Sequence, residues 1–117
     1  MKMRVFVCSP LRGVDPSIDQ SKSNINLANH LCRRAVLIGN VAPFAPHLFY
    51  TRFLVDITEE ERIAGIQCGL EFLYVCDELW VFTKRGISEG MKKEIEYAEK
   101  LHHIKIVYDP PCWAQMD

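Results

Sequence analysis

A chain of 117 residues, 49% hydrophobic and with a formal net charge of −1, has the size and apolar content of a single domain with its own core, spanning residues 1–117. That charge balance excludes the broad basic footprint of a nucleic-acid polymer binder, and no apolar stretch approaches a membrane span. The five cysteines are odd in number and form no C-x-x-C pair; with no signal-peptide pattern, they are expected to be free thiols in a reducing cytoplasm.

The run MRVFVC (3–8), rich in Val and Phe, predicts a buried strand. A polar stretch over 9–23 follows, broken by Pro10, Gly13 and Pro16, and is long for a strand-to-helix connection. Ile25, Ala28, Leu31, Cys32, Ala35 and Ile38 then recur at helical spacing, up to a Gly39-Asn40 stop. Residues 41–44 predict a second strand, and 46–55 a lid-like loop holding a short helix. Thr58-Glu59-Glu60-Glu61 reads as a capping box opening a helix with Ala64, Cys68, Phe72 and Val75 on its apolar face. ELWVF (78–82) predicts a third strand, with Trp80 in the core, and HIKIVY (103–108) a fourth. Between them Met91, Ile95, Ala98 and Leu101 mark the inward face of one more helix.

Strands alternating with helices predict a single α/β domain of flavodoxin-like (Rossmann-like), doubly wound type, with a parallel sheet of four to five strands. Ligands of such sheets bind at the carboxyl ends of the strands. The loops leaving those ends bring residues 9–13, His47 and residues 88–94 to one rim.

On that rim Glu94 stands out. It lies three residues after Met91 and four before Ala98, within the apolar stripe, while Lys92, Lys93, Glu96, Glu99 and Lys100 point elsewhere. A carboxylate turned toward a core is costly unless it lines a cavity or is paired. Glu94 is therefore the candidate reactive group, the alternative being a structural glutamate tied to a backbone amide or to Arg12. Ser9, Arg12 and Gly13 supply a hydroxyl, a guanidinium and a permissive turn, which suit phosphate recognition; a plain tight turn with a solvated arginine explains them equally. Ser88 is a plausible N-cap, and the helix N-terminus behind it attracts anions, with Gly90 letting a ligand near the backbone; capping and turn chemistry alone is the other reading. His47 is a ligand contact, a proton shuttle or a packed loop histidine. Arg62 either reaches the site or sits on a solvated face. Asp77 precedes its strand and reads as a structural cap away from the rim, and Trp113 as a packing or subunit contact. The histidines lack zinc spacing with the cysteines, so no metal is indicated.

VFVCSPLRG (5–13) and CDELWVF…SEGMKKEIEYA (76–98), in this order and spacing, resemble the nucleoside 2-deoxyribosyltransferase superfamily, including its 2′-deoxynucleoside 5′-phosphate N-hydrolase and CMP hydrolase branches. Together with PFAPHL (43–48), they also look like small phage and bacterial proteins of unknown function attached to that superfamily. The resemblance implies that Glu94 is a nucleophile attacking C1′ of a nucleoside 5′-monophosphate or nucleoside. It implies phosphate contacts from Ser9, Arg12 and Ser88, sugar contacts from Gly90 and Met91, and a base flanked by Phe6, Cys8 and residues of 45–55. No cofactor is implied, and a homodimer or higher homo-oligomer is. One departure stands out: the transferases and the deoxynucleotide hydrolase carry an aspartate at the position of Gly69. The expected function is an N-glycosidase; the alternatives are a non-catalytic binder of a nucleotide-derived ligand, a sensor or sponge, and a phosphate-binding scaffold for a protein partner.

Overall fold

The computed structural model describes residues 1–15, 17–55 and 58–116; Pro16, expected to break the first loop, lies outside them. Four strands, β1 (Met3–Cys8), β2 (Val41–Phe44), β3 (Glu78–Val81) and β4 (Lys105–Tyr108), alternate with three α-helices, α1 (Ser21–Leu37), α2 (Glu59–Tyr74) and α3 (Glu89–Lys100). Short 3-10 turns occupy Pro46–Leu48, Tyr50–Arg52 and Pro111–Trp113. The strands form one parallel sheet in the order β2-β1-β3-β4. The chain leaves β1 toward β2 and returns on the other side to β3. The strand order therefore reverses at β1, and a crevice opens at the carboxyl ends of β1 and β3.

Side-chain alternation divides the core between the two faces of the sheet. Val5, Val7, Trp80 and Phe82 pack against Leu27, Ala28, Leu31 and Ala35 of α1, whereas Phe6, Cys8, Leu79 and Val81 pack against Leu73 of α2 and Met91, Ile95 and Ala98 of α3. On the α1 face the C-terminal turn supplies Trp113, fully buried. Its ring meets Trp80 edge-on at 5.6 Å, and its indole N–H donates to the Leu31 carbonyl at 3.0 Å. The packing alternative for Trp113 is the one realised. Asp77 caps the far edge of the sheet, its carboxylate accepting the Arg4 N–H at 2.8 Å, as its position before β3 implies.

The observed elements correct the expected ones in places. α1 starts at Ser21 rather than beside Ile25, and Ile38 is more than half exposed instead of closing the apolar stripe. β3 ends at Val81 and β4 begins at Lys105, so the expected 78–82 and 103–108 strands are shorter, although the Phe82 N–H still bonds the Cys8 carbonyl at 3.0 Å. The segment 46–55 holds two 3-10 turns rather than one helix. The Thr58 box is half formed: Thr58 accepts the Glu61 N–H at 3.3 Å, but the Glu61 carboxylate instead accepts the Val55 N–H at 2.8 Å.

The largest correction concerns α2. Ala64, Cys68, Phe72 and Val75 face outward, while Gly69 and Leu73 are buried and Ile66 and Leu70 half-buried. The helix carries two competing apolar stripes, and Gly65 and Gly69 lie on the face that turns in. A Cβ on Gly65 would stand 3.3 Å from Leu54, and one on Gly69 would stand 3.5 Å from Pro46 and 3.9 Å from Phe6. Small residues bring α2 close to the 46–55 segment, so that face turns in.

Removing the indole that closes the α1 side should be costly. Trp113→Ala is expected to lose about 3–5 kcal/mol of unfolding free energy in urea titrations, in the range of large-to-small core substitutions. A loss below about 1 kcal/mol, the size of ordinary surface effects, would exclude the C-terminal turn from the core.

Candidate active site

A cavity of about 710 Å³ opens at the carboxyl ends of β1, β2 and β3. Four segments wall it: the loop after β1 (Leu11 to Val14), the 3-10 turns after β2 (Pro46, His47, Tyr50, Thr51), the first turns of α2 (Arg62, Gly65, Ile66) and the start of α3 (Ile87 to Lys92, with Glu94). Of the residues expected at the rim, Arg12, Gly13, His47, Ser88, Gly90, Met91 and Glu94 line this one space. Phe6, Cys8 and Ser9 do not. All three are fully buried beneath it: Phe6 and Cys8 alternate onto the α2/α3 face, and Ser9 follows β1 into the interior.

Glu94 forms the floor. Only 5% exposed, it is the one charged residue type among the buried polar side chains, which otherwise comprise Ser9 and Asn24 among the described residues. Burial holds its carboxyl up at a pKa of about 8 rather than the ordinary 4.5, and a hydrogen bond from the Cys8 thiol partly opposes this. At neutral pH the neutral acid predominates.

The α3 N-terminus stands above it. Ser88 caps the helix through its hydroxyl, which accepts the Met91 N–H at 3.3 Å, while the Ser88 N–H points at the Met91 sulfur at 3.5 Å. This is a capping box with a thioether in place of the usual carboxylate, so the helix start carries no anion at that position. The uncapped N–H groups of the first turn and the helix dipole face the cavity beside Gly90.

The β1 loop is shaped by Gly13, whose φ of +103° places it where other residues are strained. The Arg12 carbonyl accepts the Gln20 N–H at 2.9 Å, and its guanidinium lies within electrostatic reach of Asp19. His47 is half-buried, with Nε2 at 2.8 Å from the Ser9 carbonyl. A carbonyl only accepts, so Nε2 carries the proton and Nδ1 is left as an acceptor. Burial pushes the ring's pKa below its usual value, with the Ser9 carbonyl pulling the other way, so the ring is neutral at pH 7. The Ser9 hydroxyl is buried without a hydrogen-bond partner. Arg62 lines the α2 wall and pairs with Glu59 at 2.5 Å.

Two residues that sequence reasoning passed over tie the rim together. Asn24 is 1% exposed; its Nδ2 donates to the Leu11 carbonyl at 2.7 Å, and its Oδ1 accepts from Arg85 at 2.8 Å. Asn24 thus braces the loop after β1 to the loop after β3. The signal was the one that marks Glu94: a polar residue in an apolar stripe, three and four positions before Leu27 and Ala28. No group of three or more His, Cys, Asp or Glu side chains among the described residues is placed to hold a metal ion. All five cysteines are free, and no helix among the described residues is long and apolar enough to cross a membrane.

A family model described as a domain of unknown function (DUF7768) matches residues 3–109, from the first strand to the end of the last. The chain belongs to that family. None of the curated proteins matches it. The DUF7768 match takes in every element that walls the cavity, and it leaves out the turn carrying Trp113.

Glu94 links the site to stability with a definite sign. Between about 4.5 and 8 the folded chain keeps a proton that the unfolded chain releases. Unfolding free energy contributed by this group is therefore fully present below 4.5 and lost as pH rises to about 8. Glu94→Gln should remove that dependence and gain stability over the wild type at alkaline pH, by a few kcal/mol at most. Urea titrations of both proteins across this range check it; identical pH dependence in the two would place the Glu94 carboxyl in water.

Proposed function

We propose that this protein is an N-glycosidase that cleaves the base–sugar bond of a nucleoside 5′-monophosphate or nucleoside, with Glu94 as nucleophile. The observation that carries the proposal is a buried carboxyl, the one such group among the described residues, at the floor of a cavity whose rim holds Arg12 and the N-terminus of α3. A phosphate at that rim would meet a guanidinium and backbone N–H groups. The sugar would then lie over Gly90 and Met91, and the base would extend toward Tyr50, Leu54 and Ile66 along the apolar wall.

In this reading the ionised Glu94 attacks C1′, the C1′–N bond breaks, and the base departs with the bonding pair and takes up a proton. Water then hydrolyses the glycosyl ester to free sugar phosphate and restores the carboxyl; a second base in place of water gives transfer. The demand resembles that of retaining glycosidases, where a positioned carboxylate stabilises an oxocarbenium-like transition state. With a pKa of about 8, roughly a tenth of Glu94 is ionised at pH 7, so turnover should climb with pH through that value.

Two observations favour a second reading, a non-catalytic binder of a nucleotide-derived ligand. Glu94 is mostly neutral at pH 7, and Gly69, beside Pro46 and Phe6, stands where the resemblance implies an aspartate. Both readings take a small nucleotide or nucleoside as ligand, and assembly into a homodimer is proposed with them. Phe72 on the outward face of α2 and Val75 just after it, each about half exposed, support that assembly as uncovered apolar surface.

Release of free base from a panel of ribo- and deoxyribonucleoside 5′-monophosphates separates the readings. The glycosidase reading expects release by the wild type and none by Glu94→Ala, with ligand binding retained. Arg12→Ala should weaken binding of the monophosphates by about tenfold or more, the size of one charge-assisted contact, and leave nucleosides unchanged. Binding without release by the wild type would favour the sensor or sponge. Equal losses for nucleotide and nucleoside in Arg12→Ala would sink the phosphate assignment.

A further inference from the structure

Cys8 ends β1 with its side chain on the α2/α3 face, fully buried, and its carbonyl is fixed by the Phe82 N–H at 3.0 Å. Its thiol has two acceptors within reach on α3: the Met91 carbonyl, 3.9 Å from Sγ, and the Glu94 carboxyl. A thiol carries one weak donor and serves one acceptor at a time. The Met91 carbonyl already belongs to the helix ladder, where a second bond adds little. An ionised carboxylate in apolar surroundings gains far more from the same donor.

We propose that Cys8 is a positioning residue, whose S–H turns from the Met91 carbonyl to Glu94 as Glu94 ionises and holds the carboxylate in place at the cavity floor. Its importance for turnover rests on the reading of Glu94 as nucleophile; the hydrogen-bond exchange itself does not. Burial and the neighbouring Glu94 push the Cys8 thiol well above its ordinary value of 9, so it remains a donor across the range in which Glu94 titrates. Arg12, His47, Tyr50, Glu59, Glu61 and Arg62 face the same cavity from other elements, and Glu89 and Lys92 from α3 itself. The Glu94 shift traces instead to burial, opposed by the Cys8 thiol. This places Cys8 under the carboxylate rather than against the base, the role that the resemblance implied for it.

Two measurements without substrate test the exchange. In the wild type, the infrared S–H stretch of Cys8, assigned by difference from Cys8→Ser, should move to lower frequency as pH passes about 8. The ¹³C shift of the Glu94 carboxyl should titrate about half to one pH unit higher in Cys8→Ala, the effect of losing one weak hydrogen bond to a charged group. Cys8→Ser should return it to the wild-type value or below. If turnover is found, Cys8→Ala should be roughly three- to tenfold slower at pH 7 and recover at higher pH, the kinetic image of that shift. A pH-independent S–H band, an unchanged Glu94 titration in Cys8→Ala, or serine behaving as alanine would overturn the proposal. The infrared measurement uses the unsubstituted chain, so it decides even if Cys8→Ala does not fold. Failure of the glycosidase reading would show in the base-release assay and leave these titrations untouched.

Discussion

A carboxyl held out of water beneath the crevice of a parallel sheet is the constraint on which the other features of the site depend. Glu94 is on the inward stripe of α3 because Met91, Ile95 and Ala98, which share that face, bury against the sheet. The Ser88 hydroxyl fixes where the helix begins by accepting the Met91 N–H. The strand order puts β1 beside β3, so the end of β1 lies under α3 and supplies Cys8 as a donor. Cap, strand order and thiol act on one group, and each can be traced to particular residues.

The cavity above that group is divided by charge. Its floor is an acid that burial keeps largely neutral, its rim offers Arg12 and a helix start, and its apolar wall carries Ile66 of α2 and Leu54 of the 46–55 segment. A ligand with an anionic end, a polar middle and a flat apolar end would match those zones in turn. Two rigid connections keep them in register. Asn24 and Arg85 tie the loops after β1 and β3, and His47 ties the 46–55 segment to Ser9. The family to which the chain belongs is described only as a domain of unknown function, so the proposed activity rests on this chain's own geometry and on the resemblance of its motifs.

Most of the fold was legible because local patterns and the global structure agree. β1 and β2 have the expected limits, and Glu94 and Asp77 lie where helical and strand spacing put them. α2 was read on the wrong face because Ile63, Ile66, Leu70 and Leu73 compete with Ala64, Cys68, Phe72 and Val75, and periodicity cannot choose between two apolar stripes. The choice was made by Gly65 and Gly69, whose missing side chains register only once the 46–55 segment is in place. The resemblance puts Phe6 and Cys8 beside the base and Ser9 at the phosphate, but all three are fully buried, Phe6 and Cys8 against α2 and α3, and none lines the cavity. Asn24 was readable by the rule that exposed Glu94, a polar residue within an apolar stripe, but its partner Arg85 is 61 residues away and no local pattern pairs them.

The central claim is that Glu94 bonds to the sugar. Acid-quenched mass spectrometry of the wild-type chain after mixing with nucleoside 5′-monophosphates tests it most directly. The account predicts a mass increase of one sugar phosphate, mapping to the α3 peptide at Glu94 and appearing more strongly as pH rises through about 8. Free base produced while the adduct maps to another residue would contradict it, as would saturable ligand binding that leaves the chain's mass unchanged at every pH.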